Sequence, residues 1–285
     1  VEGEDPYLSE RMELIHRIIE RLDIREALLE RAECPIEEER EARLNEAVKI
    51  LAKLTIRRGR ALTWDGVYDS VIAIGDPQMG KTATFLLFCI LSAVLSNHIL
   101  PPLNLIVIVS GRPKEPRTQT LDAANALNRW NTHVEFEVIS DELTDINTKN
   151  VDFHARKIVR AWNHERTPVV VVKKDSKVLA STLHLLNHNL VQQQAESRWG
   201  GLRGLFIQDE ADEAAVPQRR GSAMAAHEEG IHGLVSSIRD ALKGPYVGFT
   251  ATENALLLMD RESSIFPRRL VMLTPGREYV GPEFW

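Results

Sequence analysis

The segment at residues 75–82, GDPQMGKT, constrains the fold of this chain more than any other feature. It matches the pattern G-x-x-x-x-G-K-[ST], and it lies between the apolar run SVIAI and the apolar run ATFLLF. Gly75 and Gly80 let the backbone curl so that its N–H groups point at phosphate oxygens, and a helix that begins there adds positive potential. The pattern therefore predicts a strand, a phosphate-binding loop and a helix, as in P-loop nucleotide-binding proteins.

The side chains of this loop predict how a nucleotide such as ATP is held. Lys81 is expected to bridge the β- and γ-phosphates, which makes it a catalytic as well as a binding residue. The Thr82 hydroxyl is expected to bind Mg²⁺. The predicted ATP contacts in this segment are Gly75, Met79, Gly80, Lys81, Thr82 and Ala83.

A second motif, GLFIQDEADEA, supplies the acidic groups that such a site needs. Its apolar residues predict a buried strand, and Asp209 lies at the carboxyl end, where ligands bind in open α/β sheets. We expect Asp209 to hold Mg²⁺ through water, and Glu210 to act as the base that polarises the attacking water. Asp209 and Glu210 are therefore predicted catalytic residues, and Thr82 and Asp209 are the predicted metal-binding residues.

A third motif, YVGFTAT, ends a predicted strand with two hydroxyl side chains, Thr250 and Thr252. At the same edge of the sheet, these hydroxyls can contact the γ-phosphate of ATP, and a change in that contact can be transmitted to another surface. An ordinary strand end explains the motif equally well, so both interpretations stay open.

The chain divides into two regions by its pattern of apolar residues. Between about residues 7 and 60 it is charged and poor in glycine, with apolar residues at helical spacing, which predicts two or three helices. From about residue 67, continuous β-branched runs alternate with helical patterns, which predicts a mostly parallel sheet covered by helices. We therefore predict an α/β fold, with an N-terminal helical region at residues 1–66 and a P-loop domain at residues 67–285. The predicted strands are residues 71–74, 105–109, 134–139, 169–172, 205–207, 246–249 and 270–273.

Composition and charge exclude several classes of protein. Apolar residues make up 44% of the chain and charged residues 27%, as in soluble globular proteins. The net charge of −6 argues against binding a phosphate backbone over the whole surface, although it allows a local basic groove. The apolar stretch at residues 83–100 is interrupted by polar residues and is too short to span a bilayer, so we expect no membrane span. The chain has two cysteines without a disulfide pattern and an acidic start without a signal peptide, so we expect a cytoplasmic protein. Because the first residue is Val1 and not methionine, we expect a fragment or a processed form.

The loop, the DEAD sequence and the TAT sequence occur in an order that resembles the first motor domain of superfamily-two helicases. Several segments are also similar to the Z-one domain ATPases, or endonuclease Z-one family, which are encoded among prokaryotic restriction and phage-defence genes. These segments are GDPQMGKT, IVIVSGRPKEPRTQT, VVVVKKDSKVL, IQDEADEAAV, YVGFTAT and FPRRLVMLTPGREYVGPEFW. The resemblance covers about residues 69–285, and it implies a RecA-like P-loop NTPase fold and ATP hydrolysis coupled to work on DNA.

The resemblance also singles out individual residues. Two positions depart from the family pattern, since Glu253 stands where proline usually follows the TAT sequence and Met79 stands where a small serine is usual; neither departure removes a catalytic group. Arg117 and Gln119 begin a predicted helix at the carboxyl end of a strand, where they either contact a nucleic-acid backbone or the γ-phosphate, or face solvent. The residues that the resemblance singles out are Gln78, Arg117, Gln119, Thr120, Lys173, Lys174, Asp209, Glu210, Asp212, Thr250, Thr252 and Arg268. Of these, Gln78, Arg117, Gln119, Thr250 and Thr252 join the predicted ATP contacts.

Three functions fit these motifs. The first is a Mg²⁺-dependent ATPase module of helicase type that acts on DNA in a prokaryotic restriction or anti-phage system. The second is a nucleotide-gated switch that controls assembly with a partner protein, which the acidic charge and the N-terminal helices favour. A small-molecule kinase is a weaker third, because the DEAD sequence suits activation of water better than transfer to an acceptor.

Helicase motors close the ATP site with an arginine finger from a second RecA-like domain. The sequence has no second set of such motifs, so we expect a second RecA-like domain or a partner defence protein to supply the finger. The chain by itself is expected to bind nucleotide but to hydrolyse it slowly, since loss of the finger costs about 10³–10⁵-fold in rate.

Overall fold

The computed structural model describes residues 6–31, 37–55, 70–75, 81–98, 100, 102–111, 120–122, 124–125, 127, 134–140, 145–211, 223–251 and 265–274. Among the described residues three helices come first, where the sequence predicted two or three, and strands then alternate with helices. The helices are α1 (Pro6–Arg21), α2 (Arg25–Arg31), α3 (Glu37–Leu54), α4 (Lys81–His98), α5 (Val151–Asn163), α6 (Ser176–Leu186), α7 (Asn189–Trp199) and α8 (Ala223–Leu242). The strands are β1 (Ser70–Ile74), β2 (Leu105–Ser110), β3 (Phe136–Val138), β4 (Thr167–Lys173), β5 (Gly204–Gln208), β6 (Tyr246–Thr250) and β7 (Arg269–Met272).

Within the described residues, seven strands form one sheet in the order β3-β4-β2-β5-β6-β1-β7. Every pair of neighbouring strands in that order is parallel. Because parallel strands need crossover connections, helices cover both faces of such a sheet. The prediction of an α/β fold with a mostly parallel sheet is therefore confirmed, and each predicted strand coincides with an observed one.

The two faces of the sheet contribute side chains to two separate cores. In β1, Val71 and Ala73 lie in one core with helices α1 to α4, whereas Ile72 and Ile74 lie in the other with α5 to α8. All five residues of β1 are buried. A strand that is buried on both faces needs apolar side chains at consecutive positions, which is why the strands read as continuous β-branched runs.

Helix α4 accounts for the long apolar stretch of the sequence. It begins at Lys81, directly after the GDPQMG segment, and its apolar side chains share one core with α3 and one face of the sheet. Cys89 is fully buried in it, and burial raises the pKa of its thiol above the ordinary value. No helix in the described ranges is both long enough and apolar enough to cross a membrane.

The N-terminal helices share a core with the sheet. Ile15 of α1, Leu28 of α2 and Leu51 of α3 belong to the same cluster of buried side chains as Leu87 and Phe88 of α4. Helix α3 packs directly on α4, and α1 packs on α3. The predicted boundary between residues 66 and 67 lies outside the described residues, so the division into two domains stays a prediction.

A buried polar network joins α3 to the first turn of α4 and to the end of β7. One guanidinium nitrogen of Arg43 donates to Glu46 Oε2 at 2.8 Å, and Thr84 Oγ1 donates to the same oxygen at 2.7 Å. The backbone N–H of Thr274 donates to the other carboxylate oxygen of Glu46, and the Thr274 carbonyl accepts from Arg43 at 2.7 Å. Because Thr84 lies in the first turn of α4, this network fixes the helix that follows the phosphate loop.

Candidate functional site

Several of the predicted site residues that the structure describes lie at one edge of the sheet. All strands are parallel, so their carboxyl ends share that edge, which is where ligands bind in open α/β sheets. Gly75 follows β1, Asp209 and Glu210 follow β5, and Thr250 is the last residue of β6. Since β6 lies between β1 and β5, the loop and the two carboxylates are one strand apart.

Hydrogen bonds fix both ends of the predicted phosphate loop. The Gly75 N–H donates to the Thr250 carbonyl at 3.0 Å, which ties the start of the loop to the end of β6. Lys81 is the first residue of α4, and its Nζ donates to the Gly75 carbonyl at 3.2 Å. The ammonium group of Lys81 therefore lies beside the start of the loop. It is also near the N-terminus of α4, where free N–H groups favour an anion.

Part of the predicted loop lies outside the described residues. Residues 76–80 are not described, and in the first turn of α4 nothing is described of the Thr82 side chain. Ala83, which follows, is partly exposed. The ATP contacts of Gln78, Met79 and Gly80, and the metal contact of Thr82, remain predictions.

Asp209 and Glu210 form a tight turn at the end of β5. The Asp209 N–H donates to the Val109 carbonyl at 2.8 Å, and the Glu210 N–H donates to Asp209 Oδ1 at 3.0 Å. Glu210 has a backbone φ of 48°, in the left-handed region that residues with a side chain seldom adopt. Both residues are partly exposed at the sheet edge. The predicted pair thus lies at a strand end, and Glu210 has an unusual backbone conformation.

The side chain of Glu210 fills a space that exists because its neighbour is a glycine. A Cβ on Gly111, the residue after β2, would lie 2.2 Å from Glu210 Oε2. Strand β2 lies on the opposite side of β5 from β6, so this carboxylate faces away from the phosphate loop. Gly111 was not among the predicted site residues, although a glycine directly after a buried strand is a signal for close approach.

Lys174 also belongs to this edge. It follows β4, it is 2% exposed, and its Nζ donates to the Asp209 carbonyl at 3.2 Å and to the Glu210 carbonyl. The resemblance singled out Lys173 and Lys174 without giving them a role. The structure separates them, because Lys173 pairs instead with Asp145 at 2.6 Å.

The strand order sets the distance between the strand before the phosphate loop and the strand before the two carboxylates. Strands β1 and β5 are two strand spacings apart, which is roughly 10 Å. In phosphate-binding sites Mg²⁺ takes one or two carboxylates, together with phosphate oxygens and water. Asp209 is partly exposed at the end of β5, and its carboxylate is of the type that such a site uses. No group of three or more possible metal-ligating side chains occurs among the residues that the structure describes.

The strand between the loop and the carboxylates ends in buried groups. Thr250 is fully buried, and its carbonyl accepts from Gly75, so its contact with the nucleotide stays a prediction. At the other end of β6, the Tyr246 hydroxyl donates to Gln208 Oε1 at 3.0 Å. Burial raises the pKa of Tyr246 above its ordinary value, while the charge of Arg239 lowers it. This hydroxyl therefore keeps its proton and holds β6 to β5.

Other predicted residues fall elsewhere. The Arg268 N–H donates to the carbonyl of Ser70, the first residue of β1, so its backbone lies at the amino edge of the sheet. Along β1 that edge is roughly 13 Å from the site. The structure therefore does not bring the Arg268 backbone to the phosphate loop. Arg117, Gln119, Asp212 and Thr252 lie outside the described residues.

Comparisons with known proteins show a weak similarity to solved structures. No protein-family model and no curated protein matches the sequence. Among solved structures, the chain is similar to the DEAD-box helicase Mss116 bound to single-stranded RNA and UDP-BeF, with 14% sequence identity and a TM-score of 0.39. The alignment covers 81% of this chain and 42% of that one, so the chain spans about two fifths of that structure. We therefore assign the α/β fold from the strand order and strand direction observed here.

Proposed function

We propose that this chain is a Mg²⁺-dependent ATPase module of helicase type. The observation that supports this most is the strand order, in which β6 alone separates the strand before the phosphate loop from the strand before Asp209 and Glu210. A triphosphate held at Lys81 then has its terminal phosphate directed at the two carboxylates. Hydrolysis of ATP needs a cation on the phosphates and a base near the attacking water, and this edge of the sheet offers both.

Each residue has a separate part in the proposed reaction. Lys81 and the N–H groups at the start of α4 neutralise the β- and γ-phosphates. Thr82 and Asp209 would hold Mg²⁺, which would supply positive charge to the phosphate oxygens. Glu210 turns from its position beside Gly111, orients a water molecule in line with the γ-phosphate, and accepts its proton.

The further proposal is that ATP hydrolysis is coupled to DNA in a prokaryotic restriction or anti-phage system. It rests on the similarity of the six motif segments to the Z-one domain ATPases and on the order of the loop, DEAD and TAT sequences. A second RecA-like domain, or a partner defence protein, supplies the arginine finger. Arg117 and Gln119 are the proposed contacts to the nucleic-acid backbone or the γ-phosphate.

One observation favours a second candidate, a nucleotide-gated switch. Glu46 of α3 accepts a hydrogen bond from Thr84, in the first turn of the helix that follows the phosphate loop. A structural change of the loop on nucleotide binding can therefore reach helix α3 through this hydrogen bond. In this candidate, ATP occupancy controls assembly with a partner protein, and hydrolysis only resets the switch.

Turnover with and without DNA distinguishes the two candidates. The longest native form of the protein is assayed for phosphate release from Mg²⁺-ATP, alone and with double-stranded DNA. We expect DNA to accelerate hydrolysis, because a motor couples the two ligands. Tight ATP binding with no effect of DNA on turnover would favour the switch, and absence of ATP binding would contradict both candidates.

A further inference from the structure

Lys174 is a buried cation that the proposed hydrolysis does not use directly. Lysine is almost never fully buried unless its charge is compensated, because removing an ammonium group from water is costly. Here Nζ donates to the backbone carbonyls of Asp209 and Glu210, the two residues that carry the proposed chemistry. These two hydrogen bonds hold the backbone of that turn.

The lysine joins the ends of strands that are not neighbours in the sheet. Strand β2 lies between β4, which Lys174 follows, and β5, which Asp209 follows. The backbone N–H of Lys174 donates to the carbonyl of Ser110, the last residue of β2, at 3.2 Å. Lys174 is therefore anchored on β2 by its backbone, and its side chain reaches the turn after β5. Glycine follows Ser110, so the space above the end of β2 is open to the Glu210 side chain.

The turn that Lys174 contacts is one that needs support. Glu210 has a φ of 48°, and residues with a side chain stay in this region only where the surrounding structure holds them. Two hydrogen bonds within and beside the turn contribute, one from the Asp209 N–H to Val109 and one from the Glu210 N–H to Asp209 Oδ1. Lys174 adds two more, because its Nζ donates to the carbonyl groups of the peptide bonds directly before and directly after Glu210.

We propose that Lys174 is a positioning residue that fixes the backbone of Asp209 and Glu210, and thereby aims the Glu210 carboxylate. The inference rests on the proposed ATPase function of this site. Since the lysine acts through the turn, its loss should reduce the rate of hydrolysis far more than the affinity for ATP. A displacement of about 1 Å in a catalytic group can lower the rate about 10²-fold.

The test compares Lys174→Met and Lys174→Gln with Lys177→Met in the longest native form of the protein. Methionine keeps most of the unbranched apolar stem of lysine, without the charged donor at its end. Glutamine keeps a donor but is one bond shorter, so it cannot contact both carbonyls. We expect both Lys174 variants to lower kcat by about 10²-fold with little change in KM for ATP. Lys177 lies three residues after Lys174, in the first turn of α6, and it is exposed. Lys177→Met is therefore expected to have the same kcat as the wild type.

Amide hydrogen exchange makes the test independent of ATP hydrolysis. In the Lys174 variants, the backbone N–H groups of Asp209 and Glu210 are expected to exchange faster, while those of β1 are unchanged. Unchanged exchange at the turn, or a wild-type kcat in both Lys174 variants, would overturn the proposal. If the wild type does not hydrolyse ATP, the proposed function fails, and the exchange rates still decide whether Lys174 positions the turn.

Discussion

Replacing Glu210 by glutamine is expected to lower kcat for ATP hydrolysis by about 10²–10⁴-fold, which is the contribution of a positioned general base. The amide has nearly the same shape as the carboxylate and fits the same space beside Gly111, but it cannot accept the proton of the attacking water. ATP affinity is expected to change little, because Lys81 and the start of α4 carry the proposed contacts to the phosphates. Phosphate release in a single turnover, together with an ATP titration, measures both quantities.

The control for this prediction is Glu196→Gln. Glu196 is an exposed carboxylate on α7, outside the proposed site. Glu196→Gln removes the same negative charge as Glu210→Gln, so any effect of net charge on turnover appears in both variants. A Glu210→Gln variant that hydrolyses ATP as fast as the Glu196→Gln variant would remove Glu210 from the proposed mechanism.

Replacing Glu46 by alanine is expected to lower the free energy of unfolding by about 3–5 kcal/mol, as for other buried ion pairs that lose one partner. Arg43 is 2% exposed and Glu46 is 5% exposed, so the guanidinium group would stay buried without its carboxylate. Thr84 and the Thr274 N–H would lose their acceptor as well. Urea unfolding, followed by circular dichroism, measures the change.

An exposed ion pair provides the matched control. Arg166 and Glu135 are joined at 2.8 Å, with side chains that are 43% and 70% exposed. Exposed pairs contribute little, since water solvates both charges when the pair separates. Glu135→Ala is therefore expected to unfold at the same urea concentration as the wild type. The account of the buried network would be wrong if Glu46→Ala and Glu135→Ala had equal effects.

The sequence predicted the elements of this fold because each carries its own local signal. A strand buried on both faces must be apolar at consecutive positions, and β1, β2 and β4 show this directly. A strand that ends in an acidic pair also predicts where that pair lies, since parallel strands share one carboxyl edge. These two rules sufficed to bring Gly75, Asp209 and Glu210 to the same edge.

The remaining features depend on which elements are neighbours, and local patterns do not contain that information. Lys174 and Glu210 are 36 residues apart in the chain, and they meet because β4 and β5 both flank β2. Arg43 and Thr274 are 231 residues apart. The position of Arg268 was predictable in principle, because a residue that precedes a parallel strand lies at the amino edge.

Binding of ATP is the measurement that tests the central claim most directly. Isothermal titration of Mg²⁺-ATP into the wild type, Lys81→Ala and Lys149→Ala compares the proposed phosphate ligand with an exposed lysine before α5. We expect the wild type and Lys149→Ala to bind ATP equally well. Lys81→Ala is expected to bind about 10- to 100-fold more weakly, because it loses charged hydrogen bonds to phosphate. No binding of ATP by the wild type, or equal affinity in Lys81→Ala, would contradict the assignment of this edge of the sheet as a nucleotide site.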